Sequence, residues 1–200
     1  MLDPYKILGI KEDASIEEIK NAYYRLAKKF HPDHAPEHDR NIFIENFLNI
    51  TWAYKMLINN EKRKEVNKLL KEGKLEKERD RLKREARDRT LNEGINLLRK
   101  NNVRAERYLK MAYLLDKGNP VCKSYYGLVL VFLQKIDEGL ELLNKAYSEV
   151  PDNLDILLNL SEAYLELNRL RESKNFLKRA MRIEKNNSRI ISILERLKGR

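Results

Sequence analysis

Three alanines, Ala112, Ala146 and Ala180, stand 34 residues apart, and the columns around them repeat with the same period. Three residues before each stands a leucine: Leu109, Leu143, Leu177. Seven residues before each stands a small residue: Ala105, Gly139, Ser173. Upstream, Gly127 corresponds to Ser161, and Leu133 to Leu167. Small residues at regular points let paired helices approach closely. A unit of this length cannot bury its apolar face alone, so successive units must stack. No segment alternates apolar and polar residues with period two, so the whole chain reads as all-α.

The remaining helices follow from punctuation and period. PYKIL (Pro4 to Leu8) has proline at a first helical position and ends at Gly9. In SIEEIKNAYYRLAKKF, Ser15 and Glu18 form a capping box that marks the helix start. Ile19, Ala22, Tyr23, Leu26 and Phe30 share one face, which leaves Lys20, Arg25, Lys28 and Lys29 on a basic surface. Pro32 ends this helix, since the residue before proline is pushed out of the helical region. A third helix is expected over about Asn41 to Ile58, antiparallel to the second. A fourth is expected over Asn60 to Leu70, with Asn60 as cap.

From Lys71 to Arg89 the chain is almost wholly charged, with Leu75, Leu82 and Ala86 as apolar anchors and Gly73 as a flexible point. This reads as a solvated helical linker. The expected organisation is therefore residues 1–70, a linker over 71–89, and the repeats over 90–200. The first repeat is degenerate: its leading helix, about Leu91 to Lys100, aligns only with a one-residue gap. The last helix, about Ser188 to Lys198, serves as a cap.

The formal charge is +10, with both signs interleaved. Residues 71–90 hold nine basic and six acidic side chains, and those acids can pair along a helix. Nucleic acid is accordingly not expected as a partner. The longest apolar run, YYGLVLVFL, has nine residues, against about twenty for a membrane span. Asp3, Lys6, Lys11 and Glu12 interrupt any signal peptide. A soluble, cytoplasmic protein without a membrane partner is expected. The single cysteine, Cys122, allows neither a disulfide framework nor a Cys-x-x-Cys zinc site, and reads as a small buried apolar residue.

All three histidines fall within KKFHPDHAPEH, at His31, His34 and His38. Pro36 lies between His34 and His38 and opposes the regular helix that would aim both at one metal. Nothing completes a nucleophile–base–orienter set, and no phosphate-cradling or hydrolase motif is present. No catalytic residue, metal or cofactor is assigned, and an enzyme is not expected.

Taken whole, DPYKILGI, EIKNAYYRLAKKFHPD, ENFLNITWAYKML and EKRKEV resemble the J domain of DnaJ-type co-chaperones over about Asp3 to Leu70. The His31-Pro32-Asp33 tripeptide stands at the end of the basic amphipathic helix, as in that family. The repeats resemble tetratricopeptide repeats (TPR) over about Thr90 to Arg200, with Pro151 at the turn the family favours. The resemblance implies a co-chaperone that binds a DnaK-type chaperone and stimulates its ATP hydrolysis. It implies docking through His31, Pro32, Asp33, Lys20, Tyr23, Arg25, Lys28 and Lys29. The TPR groove would take a client or peptide whose identity stays open. Departures are Tyr24 and His34, where many J domains carry basic residues, and Val66-Asn67 in place of the common Tyr-Asp. They keep an alternative in play, a TPR interaction scaffold with a weakened or inactive J domain.

Overall fold

The computed structural model describes residues 3–31, 34–36 and 40–199. Eleven helices and no strand are found among them. The chain divides into two compact units, Met1–Lys83 and Arg84–Arg200.

The first unit holds α1 (Pro4–Leu8), α2 (Ile16–Lys29), α3 (Arg40–Leu57), α4 (Asn60–Lys71) and the start of α5 (Leu75–Arg99). The Asp3 carboxylate caps α1 by accepting from the Tyr5 amide at 2.9 Å. Gly9 closes that helix at φ +66°, a left-handed conformation that glycine adopts without steric cost. The core gathers Tyr5, Leu8, Ile19, Ala22, Ile50, Ala53, Leu57 and Val66 from all four helices. The cap of α4 is Asn59 and not the expected Asn60. The Asn59 Oδ1 accepts from the amides of Glu61 and Lys62 at 3.0 and 3.1 Å, while Asn60 is already the first helical residue.

The charged stretch after α4 is held at particular points. Leu75 is 2 % exposed and joins the first unit's core. The Arg79 guanidinium lies 5.4 Å from the Trp52 ring centroid and donates to Asn49 Oδ1 at 2.7 Å. Gly73, at φ +66°, sits in a closed turn after α4: its amide donates to the Leu70 carbonyl, and the next amide, of Lys74, donates to Leu69. The helix expected over Leu91 to Lys100 is the C-terminal part of α5.

The second unit continues with α6 (Ala105–Leu115), α7 (Pro120–Phe132), α8 (Ile136–Glu149), α9 (Leu154–Glu166), α10 (Leu170–Ile183) and α11 (Ser188–Lys198). The period reaches the backbone. Asn119, Asn153 and Asn187 cap α7, α9 and α11 at 34-residue intervals. Among the described residues, the non-glycine positions at positive φ are Asn101, Gln134 and Asn168, spaced by 33 and then 34. Since Ala105, Gly139 and Ser173 keep strict 34-residue spacing, the missing residue of the first repeat lies between Asn101 and Ala105.

Leu109, Leu143, Ala112, Ala146 and Ala180 are fully buried, and Leu177 nearly so. At the α7–α8 crossing two glycines meet. A Cβ on Gly139 would stand 2.7 Å from the Gly127 carbonyl oxygen. At the α9–α10 crossing serines take those places: Ser173 Oγ donates to the Ser161 carbonyl at 2.8 Å, and Ser161 Oγ to that of Ser173 at 3.0 Å. No described helix is long and apolar enough to cross a membrane.

Candidate functional site: the basic face of α2 and the groove of the repeats

The start of α2 is set by its capping box. The Ser15 amide donates to the Glu18 carboxylate at 2.6 Å, and the Glu18 amide to Ser15 Oγ at 3.2 Å. The hydrogen bond from the Ser15 backbone holds the Glu18 carboxyl below its ordinary range. Ile19 and Ala22 then face the core, which turns Lys20, Arg25, Lys28 and Lys29 outward, all four exposed. None of the four pairs with a carboxylate among the described residues. Their charges therefore add to one surface potential.

Tyr23 is placed differently. It is half-buried, with its ring stacked on Tyr54 of α3 at 4.2 Å and 21°. Its main contact joins the two long helices, whereas its neighbour Tyr24 is 63 % exposed. At the far end of α2, Phe30 caps the helix, and its ring meets Phe43 edge-on at 5.5 Å. His31 is half-buried, its ring perpendicular to Phe47 at 5.6 Å and 5.7 Å from that of His34. His34 is exposed. Pro32 and Asp33 lie outside the described residues, as does His38. The α2–α3 hairpin thus carries a row of outward cations that ends at a histidine seated on Phe47.

Residues outside the predicted docking set tie α4 to α1 and to the loop before α2. The Tyr5 hydroxyl donates to Asn67 Oδ1 at 2.8 Å and accepts from Arg63 Nε at 3.0 Å. Arg63 Nη2 donates to the carbonyls of Glu12 and Ala14 at 2.8 and 2.7 Å. Asn67, read from sequence only as a departure, is therefore an acceptor that joins α4 to α1.

In the second unit, α5, α7, α9 and α11 line a groove of about 670 Å³. Its floor is a closed polar network. Arg189 of α11 donates to Asn159 Oδ1 at 2.7 Å, to the Tyr125 hydroxyl at 3.0 Å and to Glu162 at 3.2 Å. The Tyr125 hydroxyl donates to Asp155 Oδ1 at 2.6 Å, and Asn159 Nδ2 to Ser124 Oγ at 2.9 Å. Burial, first among the causes, raises the Tyr125 pKa. Arg196 pairs with Glu166 at 3.5 Å. Asn159 thus already has protein partners for both its amide nitrogen and its oxygen, while Asn92 and Asn96 are exposed on α5.

Comparison with known proteins agrees with both halves. The family model of the DnaJ domain matches residues 3–67, and a tetratricopeptide-repeat model matches residues 133–197. A chaperone protein DnaJ of Hydrogenobacter thermophilus is 45 % identical over 78 residues, which cover 39 % of this chain and 21 % of that protein. The mitochondrial DnaJ homolog 1 of Schizosaccharomyces pombe is 45 % identical over 64 residues, 32 % of this chain and 12 % of that protein. DnaJ homolog subfamily B member 11 of Canis lupus familiaris is 44 % identical over 71 residues, 36 % and 19 %. The chain thus spans about a fifth or less of the length of these relatives. No solved structure matches. Helical hairpin, repeat architecture and family matches agree: the chain carries a DnaJ domain over residues 3–67 and a tetratricopeptide repeat over residues 133–197.

Proposed function

We propose that the first unit docks on a DnaK-type chaperone and stimulates its ATP hydrolysis, while the repeat region recruits a client or partner protein. One observation carries the reading: Lys20, Arg25, Lys28 and Lys29, with no carboxylate partner among the described residues, form an exposed basic face that leads to His31 on the α2–α3 hairpin. Such a face steers an acidic partner surface and fixes register, with a salt-dependent on-rate. In the sequence that follows α2, His31 and Asp33 supply a directional donor and an anionic acceptor, with Pro32, a residue of fixed φ, between them. The partner supplies the chemistry of hydrolysis; this chain supplies contacts that differ between the partner's two states. The protein acts in the cytoplasm, beside its chaperone.

Single-turnover ATP hydrolysis by the cognate DnaK-type chaperone tests this. The full chain is expected to accelerate it, Asp33→Asn to abolish the acceleration, and Arg25→Ala with Lys28→Ala to weaken it more at low than at high salt. No acceleration, or equal acceleration by Asp33→Asn, overturns the proposal. A second reading, a repeat scaffold whose J unit is inactive, draws on the exposed Tyr24 beside the cations. It gains if Asp33→Asn complements a deletion as well as wild type while substitutions on the repeat surface do not.

A further inference from the structure

The 34-residue period sets α8 and α10 in equivalent places, and α10 lies beside α8 with Phe176 edge-on to Tyr147 at 5.4 Å. Their charges are opposite. Residues 135–151 carry two basic and four acidic side chains. Their counterparts, residues 169–185, carry seven basic and two acidic, a net +5 that is half of the chain's +10. The fold itself does not demand these cations, since the equivalent helix is built with acids. Two of them serve the array. Arg169 lies over the Tyr164 ring and donates to Glu172 at 2.8 Å, and Arg179 pairs with Asp152 at 2.9 Å.

Arg171, Lys178 and Arg182 remain, with Lys185 in the turn that follows, and all four are exposed. The first three share one stripe of the helix, about 17 Å long from end to end. It lies opposite the buried Ser173, Leu177 and Ala180. None of the four makes a hydrogen bond or salt bridge among the described residues. Glu172 is held by Arg169, and Glu184 accepts from Asn187 at 3.3 Å. Their counterparts on α8, Asp137, Asn144, Ser148 and Pro151, stay exposed although α10 packs on that helix. Stacking of a further unit in the manner of this array would therefore leave the stripe uncovered. Lys174 stands apart, since its counterpart Leu140 is half-buried.

We propose that this stripe binds the phosphate backbone of a nucleic-acid duplex. Exposed ion pairs with protein carboxylates contribute little, and a protein partner needs an apolar anchor that the stripe lacks, its remaining position being Asn175. A polyphosphate needs no such anchor. Each cation that neutralises a phosphate releases condensed counterions, so a row of solvated cations suffices. A single strand would call for exposed aromatic rings on which bases stack, and Phe176 is turned into the array against Tyr147 and Tyr164. A flat anionic membrane would also meet the exposed Asp137 and Glu141 of α8, whereas a narrow backbone ridge can follow α10 alone. The acids that interleave with cations over residues 71–90 have no counterpart on this stripe. Contacts of this kind position a duplex without reading its bases. Binding here is independent of the J unit and of the groove on α5, α7, α9 and α11.

The probe is a fluorescein-labelled RNA duplex of mixed sequence, longer than the stripe, titrated with the full chain. Saturable anisotropy that declines steeply with salt is expected, and a DNA duplex of the same sequence should bind as well, since the shared chemistry is phosphate. Arg171→Gln with Lys178→Gln and Arg182→Gln should weaken binding by about tenfold or more and flatten the slope of log affinity against log salt by about 2–3. Arg171→Lys with Arg182→Lys should keep most of the affinity, because these contacts need charge and not a planar fork. All three positions are exposed, so the thermal midpoint of the triple variant and its stimulation of the DnaK-type chaperone should match wild type. Absence of saturable binding, or binding indifferent to the triple substitution, overturns the proposal. So does binding lost in Arg25→Ala with Lys28→Ala and kept in the triple variant, which would place the duplex on α2. A single strand or poly-glutamate bound as tightly as the duplex overturns it in favour of that ligand. Vesicles of phosphatidylcholine and phosphatidylserine that cosediment with wild type but not with the triple variant, in the absence of duplex binding, overturn it in favour of a membrane surface.

Discussion

Arg63 makes its contacts across a long stretch of sequence: Tyr5 is 58 residues away, and the carbonyls of Glu12 and Ala14 are 51 and 49 away. Hydrogen bonds from a charged donor contribute about 1.5–3 kcal/mol each, and the carbonyls left behind lose their partners. Arg63→Ala is expected to lower the stability of the first unit by about 2 kcal/mol, read as the urea midpoint. Arg63→Lys should recover little, because a point charge cannot reach the hydroxyl and two carbonyls together. Cys122 belongs to the same scale and was legible as a small buried residue from its isolation in the sequence. It is fully buried, and burial pushes its thiol from an ordinary 9.0 up to about 12. The fold holds the protonated form. Below about pH 9 both states are protonated and the contribution is complete; above it the unfolded state ionises first and stability falls towards pH 12. Tyr126, raised by burial from 10.0 to about 12, acts in the same direction. The urea midpoint should therefore fall from about pH 9 upward, and fall less in Cys122→Ala.

Helix crossings decide stability at the scale of elements. A side chain on Gly139 meets the Gly127 carbonyl at 2.7 Å and the Val131 amide nitrogen at 2.9 Å, both backbone atoms that cannot rotate away. Gly139→Ala is expected to cost about 2–3 kcal/mol through forced separation of α7 and α8. Gly118→Ala, whose Cβ meets nothing nearer than 3.5 Å, should be close to neutral. Comparing the two by thermal denaturation tests the crossing itself and not glycine content. The sequence showed that position 139 repeats as a small residue; the opposing Gly127 carbonyl that demands it is a tertiary fact. The capping box and apolar period of α2, and the proline and glycine that bound α1, were equally legible. The length of α5 was not. Its charged half has no apolar period to follow, and it is held by Leu75 and by Arg79 over Trp52, with Arg87 paired to Asp116 at 2.6 Å further along.

For the molecule as a whole, two units with their own cores predict separable responses. Arg63→Ala should speed amide exchange in residues 3–83, and Gly139→Ala in residues 84–199, since sites with no shared partners act independently. Each substitution accelerating exchange equally in both units would contradict this. The helical class, the 34-residue repeat and the outward cations of α2 are carried by the order of amino acids alone. Capping boxes, 3.6-residue periodicity and fixed-interval columns are local or repeated signals, readable without knowing what touches what. Pairings between distant residues were open until the chain folded. Tyr23 leans on Tyr54, Asn67 takes the Tyr5 hydroxyl, and Arg189 meets Tyr125 at 64 residues' separation. Such contacts depend on which surfaces the packed helices bring together, and no stretch of sequence contains both partners.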